Sequence, residues 1–419
     1  MRKLCKKFAA GAAMCILTIT VAIAPVQAAV ENGTSYPIES NNIANWPQMG
    51  EMYSEAAVLM DADTGAVMVN KGMYEARYPA SITKVMTTLL ALENSKLTDE
   101  VTFTEDGLAR MVEGTNIESQ VGEVLTMEQA LNIVMMVSAN EVAAQVAIQV
   151  AGSEAAFAEM MNQKAAQLGC KNTHFNNASG LPDENHYTCA YDMALIFQEA
   201  LKNEEFRKII GTRTYTLPAT NKHAEPRSYS THLPLVAEAA PEYYADCIGG
   251  KTGVTQVSLN TLVTAAQRDG KTLIAVTLRA DPGQVCADST AMYEYGFNNF
   301  TKIELDGGSA MVPNGVTEAD LHTTNENRDG VLLNHYYYGD KYVGTAEVTV
   351  PEETETPEEE ETVETQEDDG QISKETVSGA VFNNPMLDHK GFAVTVGVLG
   401  GLIILGILSI FITLLTRRR

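Results

Sequence analysis

Ser81 and Lys84 stand three residues apart in Ala80-Ser81-Ile82-Thr83-Lys84, where an apolar run begins. On a helix, positions i and i+3 share a face with Cβ atoms about 5–6 Å apart, so this spacing sets an amine beside a hydroxyl. A serine with a base in reach is an activated nucleophile, and at a helix start it also feels the positive end of the dipole. The chemistry indicated is nucleophilic attack by an activated serine.

Ser-x-x-Lys alone is a weak pattern, although Ser81 is its single instance in the chain. Ser138-Ala139-Asn140 fits Ser-x-Asn, but so do Ser40-Asn41-Asn42 and Ser258-Leu259-Asn260. Ser138 is selected by its place at a helix end, between Ser81 and Lys251-Thr252-Gly253, which opens a strand after Gly249-Gly250. A cation beside a hydroxyl donor in this third motif suits a carboxylate.

The elements that must position these groups are legible in outline. Residues 56–60 and 66–69 flank Asp61-Ala62-Asp63-Thr64-Gly65 and predict a β-hairpin. Val85, Met86, Leu89, Leu90 and Leu92 trace one face of a helix that runs to Asn94. A capping box at Thr126 to Gln129 opens a second helix, and Ser153 caps a third that Gly169 stops. Residues 260–266 and 272–278 around Arg268-Asp269-Gly270 predict another hairpin, followed by a helix over 287–295. The pattern predicts an α+β fold with an antiparallel sheet and a helical cluster. A small β-rich appendage is expected over 301–350.

In this order, Ser-x-x-Lys, Ser-x-Asn and Lys-Thr-Gly form the set of penicillin-binding proteins and class A β-lactamases. Three further stretches extend the likeness: Tyr78 to Lys84 with Met86-Thr87; Leu168-Gly169 through Thr173-His174-Phe175-Asn176 to Gly180-Leu181-Pro182; and His186-Tyr187-Thr188 with Ala190-Tyr191-Asp192-Met193. With Gly249-Gly250-Lys251-Thr252-Gly253, the span from Ala56 to Phe300 resembles the serine-type D-alanyl-D-alanine carboxypeptidases, the low-molecular-mass penicillin-binding proteins. The resemblance implies a β-lactamase/transpeptidase-like fold and a set of roles. Ser81 attacks, Lys84 is the base, and Ser138 relays a proton to the leaving amine. Asn140 binds the substrate amide and orients Lys84, while Lys251, Thr252 and Gly253 receive the terminal carboxylate. The backbone N–H groups of Ser81 and Val254 form the oxyanion hole. It further implies peptidoglycan stem peptides as substrates, β-lactams as covalent inhibitors, and neither cofactor nor metal.

The chain also departs from the family pattern. Val254 follows Lys-Thr-Gly where an aromatic residue or His is common, and Ser258-Leu259 replaces an Ala-Gly pair. Val285-Cys286 stands where many relatives carry an arginine for the carboxylate, and Arg279 is the candidate substitute. No Glu-x-x-Leu-Asn lies between the second and third motifs, which argues against a β-lactamase, and no Gly-x-Ser-x-Gly supports a Ser-His-Asp hydrolase. His186 is read as structural. Two alternatives stay open: a DD-endopeptidase on cross-linked muropeptides, and a non-catalytic wall-binding or regulatory homologue. The intact Ser81, Lys84, Ser138, Asn140, Lys251 and Thr252 weigh against the second.

The 419-residue chain is 45% hydrophobic with a formal charge of −25. That is enough apolar material for a large core, and no basic patch suits nucleic acid. Residues 1–28 combine Lys and Arg, an apolar run and Val26-Gln27-Ala28, the pattern of a cleaved signal peptide. A polar leader (29–45) precedes the catalytic region, 46–300. Beyond 350 follow an acidic linker (351–390), an apolar stretch long enough to span a bilayer (391–416) and a basic tail (417–419). The expected product is a single-pass protein of a bacterial cell membrane with its catalytic domain outside. Cys170, Cys189, Cys247 and Cys286 remain after signal removal, with spacing unlike a metal site and with pairing left undecided.

Overall fold

The computed structural model describes residues 30, 32–112, 114–328 and 330–348. The expected signal peptide (1–28), acidic linker (351–390), membrane-spanning helix (391–416) and basic tail (417–419) lie outside them. Among the described residues no helix is long and apolar enough to cross a membrane.

Strands β1 (Ala56–Asp61) and β2 (Val67–Lys71) pair as an antiparallel hairpin. A 3-10 turn (Ala80–Thr83) then leads into helix α1 (Lys84–Asn94). After β3 (Glu100–Thr102), the short α2 (Glu105–Leu108) and β4 (Val124–Thr126) come three helices: α3 (Met127–Met136), α4 (Asn140–Ala151) and α5 (Glu154–Gln167). Helices α6 (Ala190–Leu201) and α7 (Glu204–Ile210) precede a small hairpin of β5 (Thr214–Leu217) and β6 (Arg227–Ser230). The meander β7 (Cys247–Thr255), β8 (Leu259–Arg268) and β9 (Lys271–Ala280) is followed by α8 (Gln284–Asn299). Strands β10 (Phe300–Leu305), β11 (Gly308–Pro313), β12 (His322–Arg328), β13 (Val331–Tyr338) and β14 (Lys341–Glu347) form a second sheet.

The main sheet runs β2-β1-β9-β8-β7, every neighbour antiparallel. Its central strands read as continuous apolar runs because both faces are covered. On β1, Ala56, Val58 and Met60 enter the core shared with the helical cluster, while Ala57 and Leu59 enter the opposite core. On β9, Ile274, Val276 and Leu278 divide from Leu273 and Ala275 in the same way. A one-residue slip would exchange the two sets, so burial on both faces fixes the register.

The second core lies between this sheet, α8 and the second sheet, and includes Trp46, Phe300, Met311 and Val343. Trp46 Nε1 donates to the Met68 carbonyl at 2.9 Å, which ties the start of the 46–300 region to β2. Tyr342 donates to the Thr64 carbonyl at 2.9 Å and Lys302 pairs with Asp63 at 2.8 Å, so the β1–β2 turn docks on the second sheet.

Ser81 sits differently from expectation. The spacing predicts the first turn of an α-helix, whereas residues 80–83 form a 3-10 turn and α1 begins at Lys84. In a 3-10 turn positions i and i+3 eclipse, so Ser81 and Lys84 align more strictly than an α-helix would align them. Thr126 and Gln129 form the capping box of α3, and Ser153 Oγ accepts the Ala156 N–H to cap α5. Ser138 lies just past the end of α3, as its position predicted, and Asn140 opens α4. Cys170, Cys189, Cys247 and Cys286 are free thiols. Burial pushes Cys247 up to about 12 and Cys286 up to about 11, far from a reactive thiolate.

Candidate active site

A cleft of about 580 Å³ opens beside the 3-10 turn, lined by Ser81, Ser138, Asn140, Thr252 and Gly253 among others. The turn before α1, the α3–α4 junction and strand β7 meet here with the 114–115 and 179–182 loops and His232. Backbone strain marks the first two, since Ala80 (φ +52°) and Ser138 (φ +68°) are both non-glycine residues in the left-handed region.

Lys84 is wholly buried at the centre. Its Nζ lies 3.0 Å from Ser81 Oγ, 2.7 Å from Asn140 Oδ1 and 2.6 Å from the Ser179 carbonyl. Two of these partners, the amide oxygen and the carbonyl, can only accept. A neutral amine has two hydrogens and one lone pair, so the acceptors take the hydrogens and the lone pair is left facing the Ser81 hydroxyl. Burial holds Lys84 well below the usual lysine range, and the nearby Lys251 charge adds to this, against an opposing pull from Glu141. Geometry and charge state therefore agree on a general base within reach of its nucleophile.

Gly180 and Gly253 let backbone come close to the nucleophile. A Cβ on Gly253 would stand 2.9 Å from the Ser81 nitrogen and 2.4 Å from Thr261 Oγ1. That close approach brings the start of the Val254 segment beside the Ser81 N–H, the arrangement two oxyanion donors need. Gly180 has φ +88°, and a Cβ there would lie 1.8 Å from the Ala80 carbonyl oxygen. Gly180→Ala is therefore expected to lose on the order of 2–3 kcal/mol of stability and to displace the Ser81 turn. Urea melts read beside acylation rates check this; a variant matching the wild type in both would contradict it.

Lys251 is buried behind the cleft wall at Thr252. It is 1% exposed, its Nζ donates to the Thr252 carbonyl at 2.9 Å, and it is not among the residues lining the cleft, although Thr252 is. Burial pushes its ammonium down to about 7. Arg279, the candidate substitute for a carboxylate-binding arginine, is committed elsewhere: Nε pairs with Glu55 at 2.9 Å and Nη1 donates to the Val257 carbonyl. It braces the loop after β7 and does not line the cleft. Val285 is buried in a small apolar cluster with Cys247 and Cys286.

His186 is buried between Thr83 Oγ1 (2.9 Å from Nε2) and the Asn176 N–H, which donates to Nδ1 at 3.0 Å. Burial pushes it down to about 3, so it is a neutral brace beneath the 3-10 turn. Several lining groups escaped sequence reasoning: Thr115, the Ser179 carbonyl and His232. The first two act through backbone or loop position, which no side-chain pattern announces. His232 is the one ionisable side chain among the described lining residues, and burial lowers its pKa.

Comparison with known proteins places this geometry. The family model described as D-alanyl-D-alanine carboxypeptidase (peptidase S11) matches residues 41–282. The Bacillus subtilis (strain 168) D-alanyl-D-alanine carboxypeptidase DacF is 33% identical over 253 residues, covering 59% of this chain and 63% of that protein. DacB2 of Mycobacterium tuberculosis is 29% identical over 246 residues, covering 57% of this chain and 81% of its own length. Among solved structures, the Streptomyces K15 DD-transpeptidase superposes with a TM-score of 0.56 at 26% identity, covering 60% of this chain and all of that one. The Mycobacterium tuberculosis H37Rv D-alanyl-D-alanine carboxypeptidase gives 0.55 at 26%, covering 61% and 95%.

Proposed function

The chain belongs to the D-alanyl-D-alanine carboxypeptidase family, peptidase S11, and from that premise we propose that it removes the terminal D-alanine from peptidoglycan pentapeptide stems through an acyl-enzyme. The observation that carries the reading is the buried Lys84 amine shared by Ser81 Oγ, Asn140 Oδ1 and the Ser179 carbonyl. Ser81 Oγ attacks the carbonyl between two D-alanines and its proton passes to Lys84. The Ser81 and Val254 N–H groups receive the oxyanion. Ser138 hands a proton to the leaving amine, Asn140 holds the substrate amide, and water then hydrolyses the acyl-enzyme. A β-lactam acylates Ser81 in the same way and leaves slowly, since no Glu-x-x-Leu-Asn of a deacylating enzyme stands between Ser138-Ala139-Asn140 and Lys251-Thr252-Gly253.

Incubation with a fluorescent penicillin followed by intact-mass measurement tests acylation, and release of D-alanine from a pentapeptide tests turnover. A wild type that takes up no label and releases no D-alanine sinks the reading in favour of a non-catalytic homologue. The endopeptidase reading keeps one supporting observation: no permanently charged side chain is found among the described residues lining the cleft. Cleavage of cross-linked muropeptides, set against D-alanine release, decides between the two.

Carboxylate recognition then rests on the Thr252 hydroxyl, Gly253 and the charge of Lys251 behind them. Because burial pushes the Lys251 ammonium down to about 7, its charge is present below that pH and lost above it. The KM for a substrate ending in a free carboxylate is expected to rise as pH passes through 7, whereas a neutral ester substrate shows no such rise. Parallel rises for both substrates would remove Lys251 from carboxylate binding.

We further place the catalytic unit outside a bacterial cell membrane, exported by residues 1–28 and held by residues 391–416. The support is the sequence itself: basic, apolar and small-residue order at one end, and an apolar stretch closed by Arg417-Arg418-Arg419 at the other. Penicillin label in the membrane pellet, released when residues 391–419 are deleted, tests this; label that stays in the soluble fraction of wild-type cells overturns it.

A further inference from the structure

The chemistry above leaves one buried carboxylate beside the site unused. Glu141 is the second residue of α4, directly after Asn140, and is fully buried. Its Oε1 accepts the Ile117 N–H at 2.8 Å and the Ser119 hydroxyl at 3.2 Å, while Oε2 is buried without a hydrogen-bond partner. Burying a carboxylate with an unmatched oxygen is costly. A charge kept at such a cost calls for a reason beyond packing.

The surroundings supply two. Residues 114–119 form one wall of the cleft, for Gly114 and Thr115 line it. This wall is pinned at three points: the Thr115 carbonyl accepts the Asn140 N–H at 2.8 Å, the Ile117 N–H goes to Glu141, and the Ile117 carbonyl accepts Arg227 Nη1 at 2.8 Å. Arg227, on β6, also holds Glu123 at 2.6 Å. The second reason is electrostatic. Glu141 directly follows Asn140, whose Oδ1 lies 2.7 Å from Lys84 Nζ, so its carboxylate acts on the Lys84 amine from α4 with the sign opposite to that of Lys251 on β7.

The geometry points to Glu141 as a positioning residue: its carboxylate pins the 114–119 wall to the start of α4 and supplies the negative charge that acts on the Lys84 amine. This rests on the acyl-enzyme reading of Ser81 and Lys84. The ionisable groups around the pair are Lys84 on α1, Lys251 on β7, and Arg227 and Tyr229 on β6, with Glu118 and Glu123 bordering Tyr229, His186 beneath the turn before α1 facing Lys84, and His232 in the cleft facing Lys251. Burial raises the Glu141 pKa itself, and the Ile117 and Ser119 donors pull it back. Removing its charge makes the Lys84 ammonium less stable, so the neutral base is populated at lower pH.

The test is the second-order rate of acylation by a fluorescent penicillin, measured against pH on the full chain. Glu141→Gln keeps an acceptor for the Ile117 N–H but loses the charge. Its acid limb is expected to move about one pH unit lower, with KM for a pentapeptide within about twofold of wild type. Glu141→Ala loses the pin as well and is expected to raise KM roughly tenfold. Ser119→Ala removes one donor that keeps Glu141 ionised, so it moves the limb in the same direction by less, and serves if Glu141→Gln fails to fold. Acid limbs that superimpose in wild type, Glu141→Gln and Ser119→Ala overturn the proposal. A wild type that is never acylated overturns the function itself, which is a different result.

Discussion

Ser81→Ala is expected to take up no label from a fluorescent penicillin and to lose D-alanine release by at least roughly 10⁴-fold, while remaining folded. The loss follows from the covalent step, because Oγ is the only atom the substitution removes and it is the one 3.0 Å from Lys84 Nζ. Stability should change by about 1 kcal/mol or less. Lys84 keeps Asn140 Oδ1 and the Ser179 carbonyl, which take both hydrogens of a neutral amine. Intact mass after incubation is the decisive measurement. An adduct on the variant would move the nucleophile to another serine, with Ser138 the first to examine since it lines the same cleft.

Lys84→Met is expected to slow acylation by about 10²–10⁴-fold with little change in non-covalent substrate affinity. Methionine is chosen because Lys84 is wholly buried. Truncation to Ala would add a cavity cost of about 2–5 kcal/mol and confuse lost chemistry with lost structure. Even Met strands the Asn140 and Ser179 oxygens, at about 1–3 kcal/mol each, so a thermal melt must accompany the kinetics. The pH profile separates the base from a scaffold. In the wild type the acylation rate rises with pH as Lys84 loses its proton, and this rise falls well below the ordinary lysine range. The variant should lack that limb. A Lys84→Met protein that acylates within tenfold of wild type and keeps the limb would transfer the base role to another group.

The legible and illegible parts of the fold divide by where their signals reside. The hairpin turns announced β1–β2 and β8–β9, since Asp and Gly favour the left-handed backbone seen at Asp269 and Gly270. Thr126 and Ser153 announced α3 and α5 because their own side chains cap those helices. Helix α4 had no such signal. Its N-cap is Ala139, without a side-chain cap, and its Asn140 N–H is satisfied by the Thr115 carbonyl from a distant loop. Helix α6 is capped by Cys189, whose sulfur accepts the Asp192 N–H at 3.4 Å, outside the usual capping residues.

The site divides along the same line. Residue types and their order, Ser81 with Lys84, Ser138 with Asn140, and Lys251 with Thr252, were enough to indicate acyl transfer by a serine with an amine base. Local geometry carries that much, because i and i+3 share a face in any helical turn. What only the tertiary structure decided is the state of those groups. Lys84 is poised as a neutral base by burial and by Lys251, 167 positions later in the chain, and its third partner is a backbone carbonyl at Ser179. Lys251 is sealed behind Thr252, Arg279 is drawn away by Glu55, and Glu141 stands behind Asn140 with one oxygen unmatched. Desolvation and backbone acceptors arise from packing between segments far apart in the chain, so no spacing of residue types could have specified them.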